Sequence, residues 1–122
     1  LDELGILQSE LFRAVRLVVD TGMHYKRWTR EEAMAYMKAK TGMSDTEVRV
    51  EIERYIVWPA QALSYKVGMI KILELRKKAQ DALGEKFNIK DFHSALLDHG
   101  SPPLFIVEEK VNDMINNAKS LN

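Results

Sequence analysis

The sequence predicts an all-α protein of about six helices, in a bundle or helical array, and three observations carry that prediction. Apolar residues recur at intervals of three and four through most of the chain. Twice, a Ser or Thr stands three residues ahead of a Glu just before such a run. Nowhere do apolar and polar residues alternate with the period of two that marks a strand.

The first helix is expected over residues 1–19, where Leu4, Leu7, Leu11, Val15 and Val18 fall on one face. Gly22 is its expected stop. Thr29 and Glu32 form a capping box for a second helix over about 30–40, because each side chain satisfies a backbone amide left free by the first helical turn. Gly42 closes that helix, and Ser44 with Glu47 opens a third, running to about Val57. Pro59 restricts Trp58 and interrupts it. The fourth and longest helix is expected over about 60–83, with Gly84 as a left-handed cap. Asn88 caps a fifth helix to about Asp98, Gly100 ends it, and Ser101-Pro102-Pro103 starts a sixth running toward Ala118.

The 122 residues suit one domain, and an apolar content of 46% is enough for a core. Eighteen basic residues balance eighteen acidic ones, so no net field draws the chain to nucleic acid or to an anionic membrane. A helix-turn-helix reader would need a basic recognition helix, and each helix here carries mixed charge. With no cysteine, disulfides, thiol catalysis and Cys-type zinc sites are excluded. The apolar stretches are too short and too often broken by charge to span a bilayer. Cytoplasm and periplasm both stay open. The chain starts at Leu1 without an initiator Met, which reads as a cut or processed end.

Val48, Ile52, Tyr55 and Ile56 form one apolar stripe on the third helix, while Val50, Val57 and Trp58 form a second that includes Arg54. That helix is expected to be buried on two sides. An unpaired, desolvated guanidinium costs on the order of 3–5 kcal/mol, so Arg54 must meet a carboxylate of this protein or of a ligand. On the fourth helix, Gln61, Ser64, Gly68, Lys71, Lys78 and Asp81 form a polar strip on an otherwise largely buried element. Tyr65 borders the strip. Gly68, which costs about 1 kcal/mol against Ala in a helix, suggests a close approach by a ligand or another helix. His24 fits either a site or a cap at a helix C-terminus, and Arg16 with Asp20 reads as a structural pair one turn apart. His93 and His99 are six residues apart and do not share a helix face, so neither pairs with the other on a metal. There is no HExxH, no phosphate-binding glycine loop and no activated nucleophile motif.

Three strings change the reading when taken together. They are Arg13-Ala14-Val15-Arg16-Leu17-Val18-Val19-Asp20-Thr21-Gly22-Met23-His24, then Glu53-Arg54-Tyr55 followed by the run from Pro59 to Gly68, and finally Phe92-His93 leading to Gly100-Ser101-Pro102-Pro103-Leu104. In order and spacing they resemble the C-terminal part of the bacterial family catalogued as domain of unknown function eight hundred and eighty-five, across nearly the whole chain. Members look like helical zinc metallopeptidases of the gluzincin type. The resemblance implies a zinc site upstream of Leu1, with two His of an HExxH and a further Glu as ligands and the motif's own Glu as general base.

On that resemblance this chain supplies no metal ligand and forms the cleft wall opposite the metal. Tyr65 is implied as the first oxyanion donor and His24 as the second, with Arg54, Tyr55 and Gln61 holding substrate. The implied partners are the N-terminal remainder of the chain and a peptide, with self-association through apolar surface when this piece stands alone. The family often carries Pro-Gly where this sequence has Pro59-Ala60, which leaves the local backbone geometry in question. The competing expectation is a self-contained helical module that binds a partner helix through the same apolar stripe.

Overall fold

The computed structural model describes residues 2–120, and among them the protein is all-α. Six helices follow one another: α1 (Asp2–His24), α2 (Arg30–Thr41), α3 (Asp45–Val57), α4 (Gln61–Leu83), α5 (Ile89–Leu97) and α6 (Leu104–Ser120), with a short 3-10 turn at Gly84–Lys86. The chain forms two compact units, Leu1–Val67 and Gly68–Asn122.

The start signals work as chemistry requires. Thr29 accepts from the Glu32 amide while Glu32 accepts from the Thr29 amide at 2.7 Å. Ser44 and Glu47 repeat the exchange, the Glu47 carboxylate accepting from the Ser44 amide at 2.9 Å. Asn88 accepts from the Lys90 amide at 2.9 Å to open α5. Gly42, Gly84 and Gly100 all turn with positive φ, as helix-ending glycines do.

α1 corrects the expected boundary. It runs through Gly22 to His24, because Gly22 serves packing rather than termination, and a Cβ there would stand 2.4 Å from the Trp28 ring. The missing side chain lets the indole lie against the helix. The chain then reverses through Arg27 at φ 58°, and Trp28 donates its amide to the Gly22 carbonyl at 2.9 Å.

In the first unit, Val15 and Val19 of α1, Ala33 and Met37 of α2, Val48, Ile52 and Tyr55 of α3, and Ala62 form the core. The apolar face of α1 is buried only in its second half, for Leu4, Leu7 and Leu11 are exposed. On α3 the first expected stripe is covered except at Ile56, while Val50, Val57 and Trp58 of the second are exposed. In the second unit, Leu75, Ala79, Phe92, Val107, Val111 and Ile115 form the core, with Phe87 against Phe92. The expectation of a largely buried α4 does not hold among the described residues. Val67, Ile70, Ile72 and Leu73 are exposed, and the burial falls on Ala62, Leu75 and Ala79. A Cβ on Gly68 would meet nothing within 4 Å, so no described neighbour needs its bare backbone.

Candidate functional site

Polar side chains gather in the first unit where the second half of α1 meets the end of α3 and the first turn of α4. The corner between α3 and α4 is Trp58-Pro59-Ala60, and Ala60 takes φ 69°. That left-handed region suits glycine and costs an L-residue with a Cβ about 1–2 kcal/mol. The corner holds because the Ala60 amide donates to Asp20 Oδ1 at 3.1 Å, tying it to α1. The Pro-Gly of the family resemblance would meet this geometry without strain, so the departure at position 60 has a definite physical content.

Asp20 is 1% exposed, and its Oδ2 is buried without a hydrogen-bond partner. Oδ1 also lies 3.9 Å from His24 Nε2. His24 has a shorter contact, for Nε2 sits 2.9 Å from the Tyr55 carbonyl oxygen. A carbonyl can only accept, so Nε2 carries the proton and donates. Neutral His24 therefore offers Nδ1 as an acceptor, and it gains a second donor only as imidazolium.

The expected Arg16–Asp20 pair does not form: neither carboxylate oxygen comes within 4.0 Å of the guanidinium nitrogens. The guanidinium lies instead among three rings, with Cζ 5.6 Å from the Phe12 centroid, 5.6 Å from Tyr55 and 4.8 Å from Tyr65. Arg16 is 8% exposed. Its one hydrogen bond runs from Nη2 to Gln61 Oε1 at 3.3 Å, and Nε is buried without an acceptor. π-Faces attract a cation but do not neutralise it.

Arg54 resolves the other way. Its guanidinium pairs with Glu51 one turn back, the Tyr55 hydroxyl donates to the same carboxylate, and Arg54 lies 5.3 Å from the Tyr55 ring centroid. Burial, and then the Glu51 hydrogen bond, push the Tyr55 phenol well above its ordinary range. The charge on Arg54 is thus met within this chain, and the Tyr55 hydroxyl is committed. Gln61 and Tyr65 stand one turn apart, with Gln61 Nε2 donating to the Tyr65 oxygen at 3.3 Å. Tyr65 is 48% exposed. Its own O–H proton remains free to donate.

The structure therefore brings Tyr65, Gln61, Tyr55 and His24 around one cluster, and gives Arg54 to Glu51. Arg16 and Asp20 are the members that sequence reasoning left out of the site. Helical spacing made them look like partners, and most of the groups they meet instead, Tyr55, Ala60, Gln61 and Tyr65, lie far along the chain. Among the described residues no three His, Asp or Glu side chains are placed to hold a metal ion.

The first unit is thus all-α, with a polar cluster built around a buried arginine and a half-exposed tyrosine. The chain belongs to the family described as "Bacterial protein of unknown function (DUF885)", whose model matches residues 1–111. It is similar to the crystal structure of the "putative lipoprotein from Colwellia psychrerythraea", with 54% identity and a TM-score of 0.92 over 94% of this chain. The chain spans 20% of that protein's length. No curated protein matches it significantly.

Proposed function

We propose that this chain forms the substrate-facing wall of a peptide hydrolase whose metal-binding part lies elsewhere in a longer family member. The zinc implied by the gluzincin resemblance does not fit the residues of this chain, since no donor cluster for it is gathered among those described. What these residues can supply is a polarised, positioned hydroxyl. The observation that carries the reading is Tyr65: its oxygen accepts from Gln61, its ring rests on the Arg16 cation, and its O–H is left to donate to a carbonyl on which negative charge develops. His24 steadies the wall by holding the last turn of α3, and it joins as a donor only when protonated. Arg54, Glu51 and Tyr55 fix the floor beneath Arg16. The lipoprotein description of the similar structure supports a cell-envelope location.

The test is Tyr65→Phe in the complete protein, assayed for peptide hydrolysis. Loss of a donor used only in the transition state lowers kcat by about 10²–10³-fold with little change in KM. Unchanged turnover removes Tyr65 from the reaction.

A second reading has its own observation. Val50, Val57 and Trp58 form an exposed apolar stripe, which suits a non-catalytic module that binds a partner helix. A monodisperse, cooperatively unfolding chain favours that reading. Self-association through the stripe favours the wall of a larger enzyme.

A further inference from the structure

We infer that Arg16 is a carboxylate anchor, built to take the C-terminal carboxylate of a peptide. The inference rests on the peptide-hydrolase reading only for the source of that carboxylate. Arg16 is a cation 8% exposed, and no Asp or Glu oxygen among the described residues pairs with it. Such an arrangement is costly unless an anion arrives to complete it, because the desolvated charge is otherwise met only by ring faces and one neutral amide oxygen.

The geometry of the guanidinium says what the anion must look like. Nε–H and Nη2–H point the same way and form the side-on fork that matches the two oxygens of a carboxylate. The Nη2 end of this fork meets a neutral amide oxygen, Gln61 Oε1, at a long 3.3 Å. The other tine, Nε, has no acceptor at all. A side-chain amide offers a single oxygen and fills half of the site, whereas a carboxylate fills both halves and brings the missing charge.

Displacing Gln61 is inexpensive, since its contacts to Arg16 and to Tyr65 are both 3.3 Å. The half-exposed Tyr65 ring forms the cover over the guanidinium, and the start of α4 carries both Gln61 and, one turn on, Tyr65. Arg54 does not offer the same chemistry because Glu51 already occupies it.

The experiment uses the full-length protein and two probes that differ only in their C-terminal group, N-acetylphenylalanine and its amide, titrated by calorimetry. The free acid is expected to bind about 10- to 100-fold more tightly than the amide, the worth of charge-assisted hydrogen bonds to a buried guanidinium. Arg16→Met is expected to erase that difference, the acid losing far more affinity than the amide. Arg16→Lys keeps the charge without the planar fork and recovers only a small part of the preference, so a folding failure of the Met variant leaves the test intact.

Equal affinity for acid and amide in the natural protein overturns the proposal. So does a preference that survives both substitutions. Equal affinities together with a large drop in Tm for Arg16→Met identify the alternative source, an Asp or Glu from the remainder of the chain seated permanently on the fork. Calorimetry needs no turnover, so absence of peptide hydrolysis by the natural protein would count against the enzymatic reading alone.

Discussion

Replacing Ala60 by glycine should stabilise the protein, and the size of the effect follows from two opposed terms. Ala60 sits at φ 69°, where its Cβ crowds the backbone at a cost of about 1–2 kcal/mol. Glycine removes that cost but loses about 0.4–1 kcal/mol through the greater freedom of the unfolded chain. The net is a gain of about 0.5–1 kcal/mol, provided the Ala60 amide keeps its bond to Asp20 Oδ1 at 3.1 Å. Glycine retains that amide. Urea unfolding of the natural and Ala60→Gly proteins, compared at equal slope, measures the difference. A companion Ala60→Val should lose stability, because a β-branched residue tolerates this region less well than alanine. If glycine is neutral or destabilising while valine is harmless, the corner does not hold a left-handed residue at position 60 and no strain is stored there.

Two further effects follow from the same unit. Gly22→Ala drives a methyl to within 2.4 Å of the Trp28 ring, so Trp28 must move, and the overpacking should cost about 1–3 kcal/mol, read by thermal unfolding with tryptophan fluorescence. The Tyr55 phenol is neutral in the fold well above the pH at which an unfolded tyrosine ionises, near 10. The unfolded chain therefore binds fewer protons than the native one above that pH. Stability is intact below about pH 10 and falls as pH rises beyond it. Tyr55→Phe should lower stability by about 1 kcal/mol at neutral pH through the lost bond to Glu51, and should flatten the alkaline decline in a pH series of unfolding curves. An unchanged alkaline slope in that variant would assign the decline to other groups.

The parts of the fold that were legible in the sequence are those decided within a few residues. The Thr29–Glu32 and Ser44–Glu47 boxes, the Asn88 cap and the turns at Gly42, Gly84 and Gly100 are local exchanges of hydrogen bonds or local demands on φ, and each stands where the sequence placed it. What depended on distant partners was harder to read. Gly22 looks like a helix stop until Trp28 is seen lying on it. Arg16 and Asp20 have the spacing of an ion pair, yet Ala60 takes the carboxylate while Phe12, Tyr55 and Tyr65 surround the guanidinium. Conversely, Arg54 needed a partner on charge grounds alone, and Glu51 one turn back supplies it. Apolar periodicity identified the helical faces but not which of them would be covered, as the exposed Leu4, Leu7, Val57 and Ile70 show.

The two tryptophans lie in contrasting surroundings. Trp28 packs against Gly22 with its ring 5.4 Å from that of Tyr36, while Trp58 stands at the strained corner with 62% of its surface exposed. Indole emission shifts with the polarity around the ring, so Trp28 is expected to emit to the blue of Trp58 within the same unit. Removing either by Trp→Phe leaves a single-site reporter: Trp28 for the packing of α1 on α2, and Trp58 for movement of the corner that carries Gln61 and Tyr65.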